Sequence, residues 1–162
     1  MKMNKNRRKK VLIALDYDPT AQKVAETGYS FADAMGAEVT LLHVISDPVY
    51  YSSREYSPIM GFNGFMETGP SQFNNESLKK AALSFLDKSR HHLGDKTIHT
   101  LVNEGDLAES ILITAKGMHA DVIVMGSHSR KWLENIVMGS VTEKVLRHTS
   151  VPLFIIPTQQ KK

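Results

Sequence analysis

The sequence predicts an α/β fold with an open, doubly wound, five-stranded parallel sheet. Two observations support this fold class: short apolar runs alternate with longer amphipathic segments, and each apolar run is continuous. Continuous apolar runs are typical of strands that helices cover on both faces, as in a buried parallel sheet. Strands that alternate with helices over 162 residues fit one domain with right-handed crossovers.

Each element follows from its own pattern. The apolar runs predict strands at residues 11–15, 39–45, 98–102, 122–125 and 153–156. Apolar residues at three- and four-residue steps predict helices at residues 21–35, 75–93 and 140–148. A further helix is predicted to open at Gly105-Asp106, where the Asp106 carboxylate can accept from the first free backbone amides. No internal repeat interrupts this order.

The chain is expected to hold a single domain at residues 10–158 behind a basic, flexible leader at residues 1–9. Residues 46–73 contain scattered Pro, Gly, Tyr and Phe without a period, and we expect a long flexible loop there. The first ten residues hold six of the 20 basic residues, so the rest of the chain is mildly acidic. This balance argues against a nucleic-acid interface on the folded part.

Several classes of chemistry lack a signal in the sequence. There is no cysteine, so disulfides and thiolate chemistry are excluded. No apolar stretch has secretory or membrane-spanning length, and we expect a cytoplasmic protein without a membrane partner. The seven histidines lack zinc spacing, and neither a Walker motif nor a dinucleotide fingerprint occurs. Because no nucleophile-and-base pair stands out, we expect a protein that is not an enzyme, with slow hydrolysis of a ligand left open.

The segment 125–142 carries the most chemistry because it leaves the fourth strand and enters the last helix. Gly126 lies where the strand must turn and where a missing Cβ permits a close approach. Gly139 and Ser140 precede the helix, whose free amides and positive dipole end favour an anion. The hydroxyls of Ser140 and Thr142 add donors. An ordinary strand-to-helix connection with an N-cap is the alternative reading of this spacing.

The spacing Gly126-x2-Ser129-x9-Gly139-Ser140 resembles the Gly-x2-Gly-x9-Gly-Ser/Thr motif of ATP-binding members of the universal stress protein family. Three of the four marked positions match, and the resemblance extends from Lys10 to Pro157. Further matches to the family are the strand ending in Asp16, the His43-Val44 pair, the Gly105-Asp106 helix start and the segment 145–152.

The resemblance implies a Rossmann-like sheet in the order 3-2-1-4-5, in which Asp16 and Gly126 face one crevice. The implied ligand is ATP or AMP, with or without Mg²⁺. Asp16 is expected to contact the nucleoside or a metal, and the Val44 backbone to meet the adenine edge. Arg130 follows Ser129 directly and is a candidate partner for phosphates. The cofactor-binding residues expected in this segment are Met125, Gly126, Ser127, Ser129, Arg130, Gly139, Ser140, Val141 and Thr142.

Ser129 departs from the family pattern and leaves two functions open. If the position needs a positive φ or the closest approach to phosphate, the serine Cβ obstructs binding. If it needs neither, the hydroxyl can donate to a phosphate oxygen. The alternative to a nucleotide-binding signalling module is a nucleotide-free interaction protein that acts through its dimer surface and the 46–73 loop.

A homodimer is expected from the resemblance, because family members commonly pair through the last strand. In this sequence, residues 151–156 form an apolar run that is a candidate edge strand. An unpaired apolar edge favours pairing with a second chain.

Overall fold

A computed structural model of the chain describes residues 7–16, 20–46, 75–127 and 140–158, with the backbone alone at Asn75 and Ser140. The strands are β1 (Lys10–Ala14), β2 (Glu38–Ile45), β3 (His99–Glu104), β4 (Val122–Gly126) and β5 (Leu153–Ile156). They pair in parallel in the order β3-β2-β1-β4-β5. This order confirms the predicted fold class, and it places β3 and β5 at the edges of the sheet.

Helices cover both faces of the sheet. They are α1 (Ala21–Ala34), α2 (Asn75–Leu93), α3 (Leu107–Gly117) and α4 (Ser140–His148). Consecutive residues of β2 show the two layers: Leu41 packs in the core that includes Phe85 of α2, and Leu42 packs in the core that includes Ile111 of α3. Successive strand side chains point to opposite faces, so two buried faces require a continuous apolar run.

The predicted elements match the structure closely, with small differences at their ends. β3 begins one residue later than the apolar run and extends to Glu104, because its pairing with β2 continues to Ile45. Met35, assigned by periodicity to the apolar side of the first helix, is 38% exposed because it lies at the C-cap of α1. Asp106 caps α3 as predicted, since its carboxylate accepts from the backbone N–H of Glu109 at 2.9 Å.

The described end of the basic leader contacts the sheet. Arg7 Nη2 donates to Asp121 Oδ1 at 2.7 Å, and the backbone N–H of Lys10 donates to Asp121 Oδ2 at 2.8 Å. These bonds join the start of β1 to the start of β4. The leader and domain boundaries stay predictions, and almost all of the predicted 46–73 loop lies outside the described residues. None of the described helices has the length and apolar character needed to cross a bilayer.

His43 is buried at the carboxyl end of β2 and is 1% exposed. Its Nδ1 lies 2.9 Å from the carbonyl oxygen of Leu15, and a carbonyl can only accept, so Nδ1 carries a proton. The ring meets Phe85 edge-on at a centroid distance of 5.9 Å. Burial lowers the pKa of His43 to about 4, partly opposed by the bond to Leu15, and the ring is therefore neutral at pH 7.

We predict that His43 makes the fold less stable in acid. An unfolded histidine has a pKa of about 6.5, so between about pH 6.5 and pH 4 the unfolded chain binds the proton and the folded chain does not. The free energy of unfolding should fall in this window by about 1 kcal/mol for each pH unit, with no contribution from His43 above it. Urea unfolding at several pH values, compared with His43→Asn, measures this slope. Equal slopes in the two proteins would contradict it.

Candidate functional site

Three predicted site residues lie at one level across the carboxyl ends of adjacent strands. Ile13 of β1 lies opposite Leu41 of β2 and Val124 of β4 in the parallel register. Three residues further along the chain from each of these are Asp16, two residues after the end of β1, Val44 within β2, and Ser127, directly after β4. The chain continues from β1 to β2 and β3 on one side of the sheet and places β4 and β5 on the other side. The carboxyl end of β1 is therefore the switch point of the sheet. Ligands of open α/β sheets bind in the crevice at such a point.

Gly126, the last residue of β4, packs against its own chain. A Cβ at this position would lie 3.0 Å from Val24 Cγ2 of α1 and 3.1 Å from Thr158 Cγ2. Both distances are shorter than ordinary carbon contacts, so the missing side chain gives room to these two residues. A ligand that approaches Gly126 must therefore come from the side of the sheet away from α1.

Thr142 connects α4 to the end of β4. Its Oγ1 donates to the carbonyl oxygen of Gly126 at 2.9 Å, and the side chain is 3% exposed. The hydroxyl proton is therefore already used within the protein. A phosphate near the start of α4 would bind the backbone amides of that turn rather than this hydroxyl.

A groove of about 460 Å³ adjoins this level on the side of β2 and β3. It lies between the start of α3 and the first turns of α4. Its floor depends on Gly105, whose φ of +123° suits glycine alone and whose N–H donates to the carbonyl of Ile45 at 3.0 Å. The residues that line the groove are Ser46, Gly105, Asp106, Leu107, Ala108, Val141 and Lys144.

An ion pair lies at the margin of this groove. Lys144 Nζ of α4 is 3.3 Å from Asp106 Oδ1 at the start of α3, and both side chains are about half exposed. The backbone N–H of Glu109 and, after it, the Lys144 ammonium lower the pKa of Asp106. The carboxylate is therefore ionised at neutral pH, and the groove presents one positive and one negative group to a ligand.

The end of β5 supports the same junction. The N–H of Ser127 donates to the carbonyl of Ile156 at 2.9 Å, and the N–H of Thr158 donates to Ser127 Oγ at 3.1 Å. Lys23 Nζ of α1 donates to the carbonyl of Pro157 at 2.7 Å. Residues 126 and 127 are thus bonded to α4 on one side and to the end of β5 on the other.

The structure describes only part of the site predicted from the sequence. Asp16 is half-buried at the crevice, whereas Met125 and the Val44 side chain are buried in the core. Val141 lines the groove, and Ser140 begins α4. The predicted binding residues that lie outside the described part of the chain are Ser129, Arg130 and Gly139.

Apart from Val141, the sequence patterns do not predict the groove residues as part of the site, nor the contacts at the end of β5. The sequence pattern predicts only a helix-capping role for Asp106, although its position after the end of a strand is also a signal for a binding site. Ser46 and Lys144 lack a local pattern that marks them. Within residues 7–16, 20–46, 75–127 and 140–158, no group of His, Cys, Asp or Glu side chains is arranged to hold a metal ion.

The fold and the crevice define a class of protein: open, parallel α/β proteins with a crevice suited to a ligand at the switch point of the sheet. Within this class, the sequence matches the universal stress protein family over residues 7–157. The chain belongs to the universal stress protein family.

Relatives and solved structures agree with this assignment. The chain is 28% identical over 153 residues to universal stress protein MJ0577 of Methanocaldococcus jannaschii, covering 91% of this chain and 94% of the relative. It is 30% identical to universal stress protein MJ0531 of the same organism, covering 95% and 85%.

The structure of MJ0577 superposes with a TM-score of 0.67 at 25% identity, over 94% of this chain and 98% of that one. A universal stress protein solved in complex with cAMP superposes with a TM-score of 0.63 at 15% identity, over 94% and 98%, which shows a shared fold.

We predict that Thr142→Val destabilises the protein by leaving the Gly126 carbonyl without its donor. The two side chains have nearly the same shape, so the loss should be about 1 kcal/mol in the free energy of unfolding. Urea unfolding measures it. Thr27→Val, the same change at an exposed position of α1, is the control and should stay within about 0.5 kcal/mol of the wild type. If the two substitutions lower the free energy of unfolding equally, the stabilising role of the Thr142–Gly126 hydrogen bond is contradicted.

Proposed function

We propose that this chain is a stress-response module that binds an adenine nucleotide, ATP or AMP, in the crevice at the carboxyl ends of β1, β2 and β4. The observation that carries the proposal is that Asp16, Val44 and Ser127 all lie at the carboxyl ends of adjacent strands, where Thr142 in the first turn of α4 bonds to Gly126. This arrangement brings together a carboxylate, a strand backbone and a helix start.

Each part of the crevice suits one part of a nucleotide. The groove beside Val141 is lined by apolar carbons of Leu107 and Ala108, which suit a flat base. The carboxylate of Asp16 suits ribose hydroxyls. The backbone amides at the start of α4 suit phosphate oxygens. A cavity of this volume is within the range of small-molecule sites.

The comparisons support the nucleotide class. A family structure of similar fold holds cAMP, which contains the adenine, ribose and phosphate groups that the crevice suits. Where Mg²⁺ accompanies the phosphates, the Asp16 carboxylate is the group of this chain that would hold it, since carboxylate oxygen is a preferred ligand of that ion. The cytoplasmic location expected from the sequence stays a prediction.

We propose a binding role rather than catalysis. The described crevice supplies a carboxylate, hydroxyls and backbone amides, and His43 lies buried behind it with its Nδ1 proton donated to Leu15. A slow ATPase would need a base beside the phosphates. The sequence offers no such residue in a recognisable pair with a nucleophile, so ligand-dependent changes of shape or partner are the proposed output.

The second candidate function is a nucleotide-free interaction module, and Ser129 favours it. The family motif has glycine at this position, and a Cβ there would obstruct phosphates if the backbone must approach them closely. Such a protein would act through its surface rather than through the crevice.

We also propose a homodimer through the β5 edge. Leu153, Phe154 and Ile155 of β5 are each only half-buried, and Phe154 stacks on Phe31 of α1 at a centroid distance of 4.7 Å. An apolar edge strand beside an aromatic pair favours pairing with a second chain.

We predict that ATP binds with a dissociation constant in the micromolar range, about 8 kcal/mol of binding free energy. Gly139→Val should abolish this binding, because the family motif implies that residue 139 adjoins the phosphates, where a branched side chain would obstruct them. Titration calorimetry with Mg²⁺ present measures both proteins. Gly117→Val is the matched control, since a Cβ at Gly117 meets nothing within 4 Å, and it should bind as the wild type does.

Ser129→Gly separates the two candidate functions in the same experiment. If Ser129 donates to the ligand, the glycine variant binds ATP equally or slightly more weakly. If the Cβ blocks the site, the glycine variant gains tenfold or more, about 1.4 kcal/mol. A wild type without heat of binding, together with such a gain, would reject the nucleotide function and support the second candidate.

We predict a dimer by light scattering at tens of micromolar, about the concentration that populates a micromolar complex. Ile155→Lys should shift the mass to that of one chain, because a charged side chain on an edge strand opposes pairing. Leu101→Lys makes the same change on β3, the opposite edge, where Leu101 is 38% exposed. This control should stay dimeric. If Leu101→Lys dissociates the dimer and Ile155→Lys does not, the interface lies at the β3 edge and the prediction is contradicted.

A further inference from the structure

One peptide group at the end of β5 is held at both of its polar atoms. The carbonyl of Pro157 accepts from Lys23 Nζ at 2.7 Å, and the N–H of the same peptide, belonging to Thr158, donates to Ser127 Oγ at 3.1 Å. Lys23 is exposed on α1, whereas Ser127 is 9% exposed at the crevice. A surface lysine is thus connected through one rigid peptide plane to a predicted binding residue.

Packing keeps this peptide in place. The Thr158 side chain is 2% exposed, and its Cγ2 lies over Gly126, 3.1 Å from where a Cβ would stand. Val24 Cγ2 of α1 lies 3.0 Å from the same Cβ position. The peptide therefore has little room to rotate, and the direction of its N–H bond is set by its two hydrogen-bond partners.

Resting on the proposed nucleotide function, we infer that the Pro157–Thr158 peptide and Lys23 are positioning groups for the phosphate side of the crevice. Ser127 Oγ accepts from Thr158 with one lone pair, so its own O–H is kept for donation, and the inferred acceptor is a ligand oxygen. Ser127 also begins the connection from β4 to α4, the side on which phosphates are expected. Neither Lys23 nor Thr158 needs to touch the ligand.

The effect should depend on the phosphates of the ligand. The base is expected on the side of β2 and β3, away from the β5 end of the sheet, where the Pro157–Thr158 peptide lies. A small rotation of the Ser127 hydroxyl therefore changes contacts to phosphate and leaves contacts to adenine in place. ATP and adenosine, which share the nucleoside and differ in the phosphates, separate these two parts.

The first experiment compares Lys23→Met with Lys80→Met, the same change at an exposed lysine of α2. Affinities for ATP and for adenosine are measured by calorimetry at about 0.3 M salt, where the Debye length is only about 6 Å and long-range attraction is screened. We expect Lys23→Met to lower the affinity for ATP by about twofold to fivefold, the range of one modest hydrogen bond. The affinity for adenosine should fall by much less. Lys80→Met should change neither affinity.

A double-mutant cycle with Ser127→Ala tests the route of the effect. If Lys23 acts through the peptide and the Ser127 hydroxyl, Lys23→Met has no further effect on ATP affinity in the Ser127→Ala protein. If Lys23 contacts the phosphates itself, its effect persists in that background and the inference is overturned.

A measurement without ligand makes the inference testable apart from the proposed function. Amide hydrogen exchange at Thr158 should be faster in Lys23→Met than in the wild type and unchanged in Lys80→Met. Unchanged exchange in Lys23→Met overturns the inference, even if the protein binds ATP. Faster exchange in a protein that binds neither ATP nor adenosine means that the proposed function fails and that the peptide serves the fold alone. If Lys23→Met lowers the affinities for ATP and adenosine equally, the inference is also overturned.

Discussion

The pairing of β1 with both β2 and β4 is the constraint on which the candidate site depends. Because all strands are parallel, their carboxyl ends meet at one edge of the sheet, and the register brings the ends of β1 and β4, which Asp16 and Ser127 follow, to the carboxyl end of β2, which holds Val44. The chain leaves β1 in one direction to form β2 and β3 and returns on the other side with β4 and β5. This reversal opens the crevice, and a shift of one residue in either pairing would separate the three residues.

Residues around the crevice serve the fold as well as a ligand. Gly126 leaves room for Val24 and Thr158, and Thr142 gives its hydroxyl proton to the Gly126 carbonyl. Both residues are among those that the sequence predicts to bind the nucleotide. If substitution of either residue abolished binding, a lost ligand contact could not be distinguished from a disturbed fold. Variants at exposed positions such as Lys23 therefore give clearer evidence about the site.

Burial behind the crevice also limits what its residues can do chemically. His43 stands next to Val44 in sequence, yet its ring is enclosed between Leu15 and Phe85 and stays neutral at pH 7. A neutral histidine with its Nδ1 proton donated to a backbone carbonyl holds the end of β1 in position. Asp16 follows directly after that carbonyl, so the histidine supports the crevice from behind.

The sequence by itself determined the features that depend on short-range patterns. Continuous apolar runs gave the strands, three- and four-residue periodicity gave the helices, and the Asp106 cap required only its own neighbours. Strand order came from resemblance to the family. Only the tertiary structure decided which distant residues meet: Lys23 and Pro157 are 134 positions apart, and Lys144 of α4 meets Asp106 at the start of α3. The physical reason is that a local pattern reports burial and backbone preference, whereas a contact between distant side chains exists only after the sheet has brought them together.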